Sequence, residues 1–245
     1  MYLVWHAFRF IACIFKSIYM KTTYYGHSCF AVEVNGKHLL FDPFITPNEL
    51  AASINVDEVK ADYIFVSHGH FDHITDVVRI AERTGAKVLG NWELYNWFNR
   101  QGLRNTHPIN PGGKFDFDFG RVKCVIAQHS SSLPDGSYGG IASGFVITGS
   151  EGCFYYSGDT ALTLDMKLIT KWATPGFAVL PIGDGLTMGV EEAIEAAKLI
   201  KVSKVMGVHY DTFGFIQMDH QKAIDDFAKE GIMLYLPEIG SAIDI

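Results

Sequence analysis

The chain is predicted to be a mixed α/β protein built in layers, on three observations. From Thr22 onward short apolar strand-like runs come first, and stretches of helical periodicity then interleave with them. Apolar residues make up 48% of 245 positions and charged ones 19%, enough to bury a sizeable core and too little charge for a disordered chain. No internal repeat or low-complexity segment divides the chain. One domain over 20–245 is therefore expected, preceded by an apolar extension at 1–19.

Phe30 to Val34 and Lys37 to Phe41 flank Asn35-Gly36, the dipeptide that best tolerates the positive φ values of a two-residue hairpin turn. Ala61 to Ser67 reads as a buried strand, and Ile74 to Thr84 as a helix stopped by Gly85. Lys87 to Leu89 is a short strand and Trp92 to Arg100 a helix closing at Gly102. Val122 to Ala127 is a strand, and Gly144 to Thr148 with Cys153 to Ser157 form a second hairpin. Between them, Pro134 to Gly140 is a Gly-rich loop that fits either a flap or a surface turn. Phe177 to Pro181 is a strand, and Val190 to Ile200 has helical spacing, with Thr187 as its expected cap. Lys204 to Val208 is a strand, Gln221 to Lys229 a helix and Met233 to Leu236 a last strand.

Charge and cysteine usage narrow the function. A net charge of −7 argues against a large affinity for nucleic acid, which is driven by clustered Lys and Arg. Cys13, Cys29, Cys124 and Cys153 form no C-x-x-C pair, which fits a reducing compartment and a cytoplasmic location. Tyr2 to Tyr19 is apolar, but Arg9 and Lys16 break it. It has neither the cleavage site of a secretory signal nor the length of a stable membrane span. Met20 is read as the start, with an amphipathic membrane-associating helix as the alternative.

The chemistry concentrates in His68-Gly69-His70-Phe71-Asp72-His73. Residues at i and i+2 can aim two imidazoles at one ion, while i+4 and i+5 reach a second. Imidazole with carboxylate suits Zn²⁺, Mn²⁺ or Fe²⁺. His68, His129, Asp159 and His209 each follow the end of a predicted strand, where loops leave room for a substrate. The seven side chains are what two four- or five-coordinate ions need when a carboxylate and a water are shared. His6, His38, His107 and His220 are expected to be ordinary polar residues.

The run H-x-H-x-D-H, followed by a distant His, by Asp159 in Ser157-Gly158-Asp159-Thr160 and by His209, resembles the metallo-β-lactamase superfamily. Gly26-His27-Ser28, Phe41-Asp42-Pro43 and Thr187-Met188-Gly189 resemble its branch of metal-dependent hydrolases that includes the ascorbate-6-phosphate lactonase type. The resemblance implies a four-layer αββα sandwich with the site at one edge of two sheets. It implies that His68, His70 and His129 hold one metal, that Asp72, His73 and His209 hold the other, and that Asp159 bridges. Zinc is the leading candidate, with manganese or iron as alternatives. The true zinc β-lactamases carry Cys where this chain has Asp159, so antibiotic hydrolysis is not implied.

The expected activity is hydrolysis of a small ester, lactone or phosphodiester by a hydroxide shared between the ions. Asp72 would orient the water or pass a proton to the leaving group, and His27 is the other candidate acid, with a purely structural role as its alternative. Asp42 is either a partner of a metal-binding histidine or a turn residue. Asp184 is read as a turn residue, with lining the pocket as the alternative, and Asp211 as a candidate support for His209. Aromatics from Tyr210 to Phe215 fit either an apolar wall or core packing. The partner is then a small molecule, not nucleic acid, and a homo-oligomer stays open. An iron-dependent oxidoreductase on the same fold and a nucleic-acid phosphodiesterase are the competing readings.

Overall fold

Alternation along two neighbouring strands shows how the layers arise. On β3 (Lys37–Phe41) Leu39 and Phe41 join one core and Leu40 another, and the residues of β4 (Tyr63–Phe65) divide the same way, Tyr63 and Phe65 against Ile64. Successive side chains of a strand face opposite sides, so each strand here feeds two interiors. The computed structural model describes residues 19–245; the expectations for residues 1–18, including the apolar extension, His6 and Cys13, lie outside the described residues.

The first sheet contains β1 (Lys21–Gly26), β2 (Cys29–Val34), β3, β4, β5 (Lys87–Gly90) and β6 (Thr106–Pro108), with β14 (Ala242–Asp244) returning to its edge in the order β14-β1-β2-β3-β4-β5-β6. The second contains β7 (Lys114–Phe117), β8 (Gly120–Ile126), β9 (Ser143–Thr148), β10 (Cys153–Tyr156), β11 (Phe177–Pro181), β12 (Lys204–Val208) and β13 (Met233–Tyr235), in the order β13-β12-β11-β10-β9-β8-β7. Each sheet has an antiparallel part that passes into a parallel part, at β3/β4 in the first and β10/β11 in the second.

The sheets face each other across a core rich in aromatic rings. Phe30 stacks on Phe41 at 4.6 Å and Phe41 on Phe65 at 4.8 Å, while Tyr156 from the second sheet meets Phe30 edge-on at 5.0 Å. Each such ring withdrawn from water contributes roughly 1.5–3 kcal/mol. Helices α2 (Val77–Thr84) and α3 (Trp92–Arg100) cover the outside of the first sheet through Val77, Ile80, Leu94 and Phe98. Helices α4 (Val190–Ile200) and α5 (His220–Lys229) cover the second through Ala193, Ala197, Ala223 and Phe227. The four-layer αββα arrangement is thus observed. No helix among the described residues is long and apolar enough to cross a membrane.

The Asn35-Gly36 turn has φ of 48° and 72°, as a two-residue hairpin of this hand requires. The helix expected over Ile74 to Thr84 is instead two pieces, α1 (Phe71–Ile74) and α2. The break falls at Asp76, whose carboxylate accepts hydrogen bonds from the Ile45 and Thr46 amides and the Thr46 hydroxyl, pulling the chain out of helical register. Thr187 does not cap α4. Gly189 occupies that position, and its amide donates to the Glu192 carboxylate three residues on. The strand expected over Ala61 to Ser67 shortens to β4, while β6, β7 and β14 are additional short strands.

Candidate metal centre

The cradle lies where strand ends from both sheets meet. His68, His70, Asp72 and His73 follow β4, His129 follows β8, Asp159 follows β10 and His209 follows β12. The backbone leaves several of these ends through left-handed turns: φ is 53° at His27, 41° at Asp42, 57° at His209 and 62° at Asp211. Non-glycine residues in that region are uncommon and tend to gather at functional sites. Gly158, at φ 61°, makes the turn into Asp159, and a Cβ there would sit 2.5 Å from the Ser143 carbonyl oxygen.

Side chains far apart in sequence converge. The ligand-capable atoms of His68, His70 and His129 lie within 4.8 Å of one another, as do those of His27, Asp72, His73 and His209. Asp159 stands between the groups: its Oδ2 is 3.1 Å from His73 Nε2, 3.0 Å from His209 Nε2 and 3.8 Å from His129 Nε2. All seven residues expected to bind metal are therefore brought together.

Hydrogen bonds set which ring nitrogen faces inward. Asp42 is fully buried, and its carboxylate accepts from the Ser67 amide, the Ser67 hydroxyl, the Tyr156 hydroxyl and His73 Nδ1. A carboxylate can only accept, so Nδ1 of His73 carries the proton and Nε2 is left toward Asp159. The Ser67 hydroxyl, committed to Asp42, leaves its oxygen to receive His68 Nδ1–H at 2.9 Å, which frees His68 Nε2 in the same way. Asp42 could be grouped with His68 and His73 as a third set of donors. Its Oδ2 already accepts three hydrogen bonds, so it supports the cradle.

Electrostatics favour a cation. Burial pushes the His73 imidazole down, but the carboxylates of Asp159, Asp72 and Asp42 outweigh it and hold a proton on the ring. Burial raises Asp159, yet the imidazoles of His209 and His73 more than reverse this, leaving it well below the usual carboxylate range. Asp72 behaves alike under His73 and His27. Burial lowers His68, His70 and His129, so these rings are neutral donors. His73 Nε2 and Asp159 Oδ1 are buried without a hydrogen-bond partner. A divalent ion would satisfy both and displace the extra proton, so the donor set fits such an ion.

The remaining candidates separate. His27 is buried and does not line the cavity over the cradle. Its Nε2 is 3.0 Å from Asp72 Oδ2 and its Nδ1 3.0 Å from the Thr212 hydroxyl, and burial holds it down to about 4. It is therefore a neutral ring that donates to Asp72. Asp184 is an exposed turn residue binding the Gly185 amide. Asp211 accepts from His220 Nε2 at 2.6 Å and from the Met218 amide, away from the cradle. Tyr210 packs in the core against Tyr24, whereas Phe213 and Phe215 line the cavity. The Gly-rich loop is a small hairpin, pinned where Asn91 Nδ2 donates to the Gly139 and Ile141 carbonyls and where Leu133 is buried. Ser67, Tyr156 and Thr212 were not anticipated. Only the position of Ser67, directly before the histidine run, offered a hint.

Two facing sheets with a buried His/Asp cradle at their strand ends define a class: a four-layer αββα protein whose sheet edge carries residues able to hold metal. A family model described as "Beta-lactamase superfamily domain" matches residues 37–210. A UPF0173 metal-dependent hydrolase of Methylacidiphilum infernorum is 50% identical over 224 residues, 91% of this chain and 99% of that one. Another, of Flavobacterium johnsoniae, is 49% identical over 226 residues, 92% and 100% of the two chains. Among solved structures, Igni18, a metallo hydrolase from the archaeon Ignicoccus hospitalis, is similar at TM-score 0.83 and 32% identity, over 93% of this chain and 98% of that one. The chain belongs to the β-lactamase superfamily and, within it, to the UPF0173 metal-dependent hydrolases.

Proposed function

We propose that the chain uses two divalent ions to hydrolyse a small ester, lactone or phosphodiester. His68, His70 and His129 would hold one ion and Asp72, His73 and His209 the other, with Asp159 between them. The observation that carries this is the placement of one Asp159 oxygen within 3.8 Å of imidazole nitrogens from both groups. Zinc leads as the metal, and manganese and iron suit the same donors. When bound, such a pair supplies Lewis acidity and a water acidic enough to attack at neutral pH.

The protein's own part lies in Asp72 and what stands behind it. Asp72 is at the cavity floor, where its carboxylate can accept a proton from an attacking water or pass one to a leaving group. His27 acts through Asp72: its Nε2–H fixes one carboxylate oxygen, and the Thr212 hydroxyl fixes the ring. The Gly26-His27-Ser28 and Phe41-Asp42-Pro43 stretches keep the likeness to lactonase-type hydrolases within this reading, and lactones belong among the first substrates to test.

The test combines elemental analysis of purified protein with p-nitrophenyl phosphodiesters, p-nitrophenyl esters and lactones, in wild type and Asp72→Ala. Two ions per chain are expected, with turnover that falls by about 10²–10⁴-fold in the variant, the range for loss of a general acid–base group. One iron per chain and no turnover on the panel would instead point to redox chemistry.

A further inference from the structure

The cavity above the cradle is walled mostly by apolar side chains. It holds about 640 Å³, room for a small organic molecule. Phe71, Leu186, Phe213 and Phe215 line it together with Leu133 and Pro134 of the hairpin. Phe213 and Phe215 stack at 5.6 Å, and Phe71 lies 6.3 Å from Phe213. Phe71, Leu186 and Phe215 are each more than half exposed, so large apolar groups are held in water at this mouth. Among the described residues lining the cavity none is Lys or Arg; apart from the cradle, the polar side chains there are Ser130 and Ser132.

Binding a carboxylate or phosphate remote from the metals would call for a cation or an array of donors, because such a group loses its water on entry. The walls offer neither. They offer ring faces and branched apolar surface, which release ordered contact with water only when an apolar group covers them. We propose that the substrate carries an uncharged aromatic or bulky apolar group, seated against Phe213, Phe215 and Phe71 while its scissile bond lies over the cradle. This rests on the hydrolase reading and narrows it. Substrates whose distal portion bears a phosphate or carboxylate are disfavoured, and so is a nucleic-acid strand.

The experiment uses metal-loaded full-length protein and the methyl thioesters of acetic, phenylacetic and succinic acids, the last with its distal carboxylate free. The leaving group is small and constant, so only the acyl part varies. Expected is a kcat/KM for the phenylacetyl substrate about 30-fold above the acetyl one, the scale of burying a phenyl-sized group, with the succinyl substrate at or below acetyl. Phe215→Ala should lower the phenylacetyl value about tenfold more than the acetyl value. Leu186→Lys should raise the succinyl value relative to acetyl. In parallel, calorimetry with the three matching hydroxamates reads binding without turnover, and the phenylacetyl compound should bind at least about tenfold more tightly than the acetyl one.

The two readings fail separately. Turnover with no phenylacetyl preference, or with a succinyl preference, overturns the apolar seat and leaves the hydrolase. The expected order of hydroxamate affinities without turnover of any thioester supports the seat and counts against acyl hydrolysis. Equal hydroxamate affinities overturn the seat whatever the turnover.

Discussion

In the first sheet, the cradle side chains come from a single strand end: His68, His70, Asp72 and His73 all follow β4. In the second, three different strands give one residue each: His129 after β8, Asp159 after β10 and His209 after β12. Their supports differ too. The first group leans on a side-chain hub, the Asp42 carboxylate with its four donors. The second is tied mainly through the backbone. Gln128 N–H donates to the Thr160 hydroxyl and Ala161 N–H to the Gln128 carbonyl, joining the loops of His129 and Asp159. His209 N–H donates to the His27 carbonyl. A cluster on one loop needs help in orienting its rings. Residues on separate strands are aimed by the sheet and need only their loops held.

The sharpest way to break this division is to remove what both halves share. Asp159→Ala should reduce metal content from the proposed two ions to at most one and cut turnover at least as much as the roughly 10²–10⁴-fold expected for Asp72→Ala. Elemental analysis beside the kinetics checks it. Next, Asp42→Asn attacks the first half alone. A metal-affinity or activity loss of about 10–100-fold is expected, as for other partners of metal ligands, and competition with a chelator measures it.

Acid should separate the halves from bulk water in chelator-stripped protein. His27 is held down to about 4 from an ordinary 6.5, and burial lowers His68, His70 and His129 as well. Between these pH values the unfolded chain binds more protons than the folded one, so this contribution is complete above about 6.5 and lost as pH falls toward 4. His73, held up by its carboxylates, is protonated in both the folded and the unfolded chain below about 6.5, so its opposite contribution falls above this window. Melting temperature should therefore fall with pH over that window, and a flat profile would contradict the neutral state of these four imidazoles.

Smaller effects refine the comparison. Tyr156→Phe takes one donor from Asp42 and should cost about 2 kcal/mol of stability, read by denaturant unfolding, with a milder metal defect than Asp42→Asn. Thr160→Val removes the side-chain half of the second sheet's tie and should cost about 1 kcal/mol with metal affinity nearly kept. If Thr160→Val harmed metal binding more than Asp42→Asn, the division between side-chain and backbone support would be reversed.

The same contrast explains what the sequence could reveal. Four donors in six residues, from His68 to His73, are readable because their neighbourhood in space is also a neighbourhood in sequence. His129, Asp159 and His209 were reachable because each follows an apolar strand run, a pattern that survives separation. The hub was not readable as a whole. Asp42 could be suspected after β3, but Tyr156 lies 114 residues away and reads as one more buried strand aromatic. The break between α1 and α2 was hidden for a similar reason, since Asp76 is pulled aside by Ile45 and Thr46 amides some thirty positions earlier. Edge strands β6, β7 and β14 are three or four residues long and carry too little pattern to stand out.

His27, Asp42 and His209 occupy a region of backbone space that β-branched side chains scarcely enter. Their replaceability is therefore limited twice, once by chemistry and once by chain geometry. A homologue that had given up metal would be freed from the first restriction but not the second. Asn or Gly, rather than Val, Ile or Thr, is what such a chain should carry there, and grafting the hexapeptide onto a foreign strand would bring the donors without the bends that aim their neighbours.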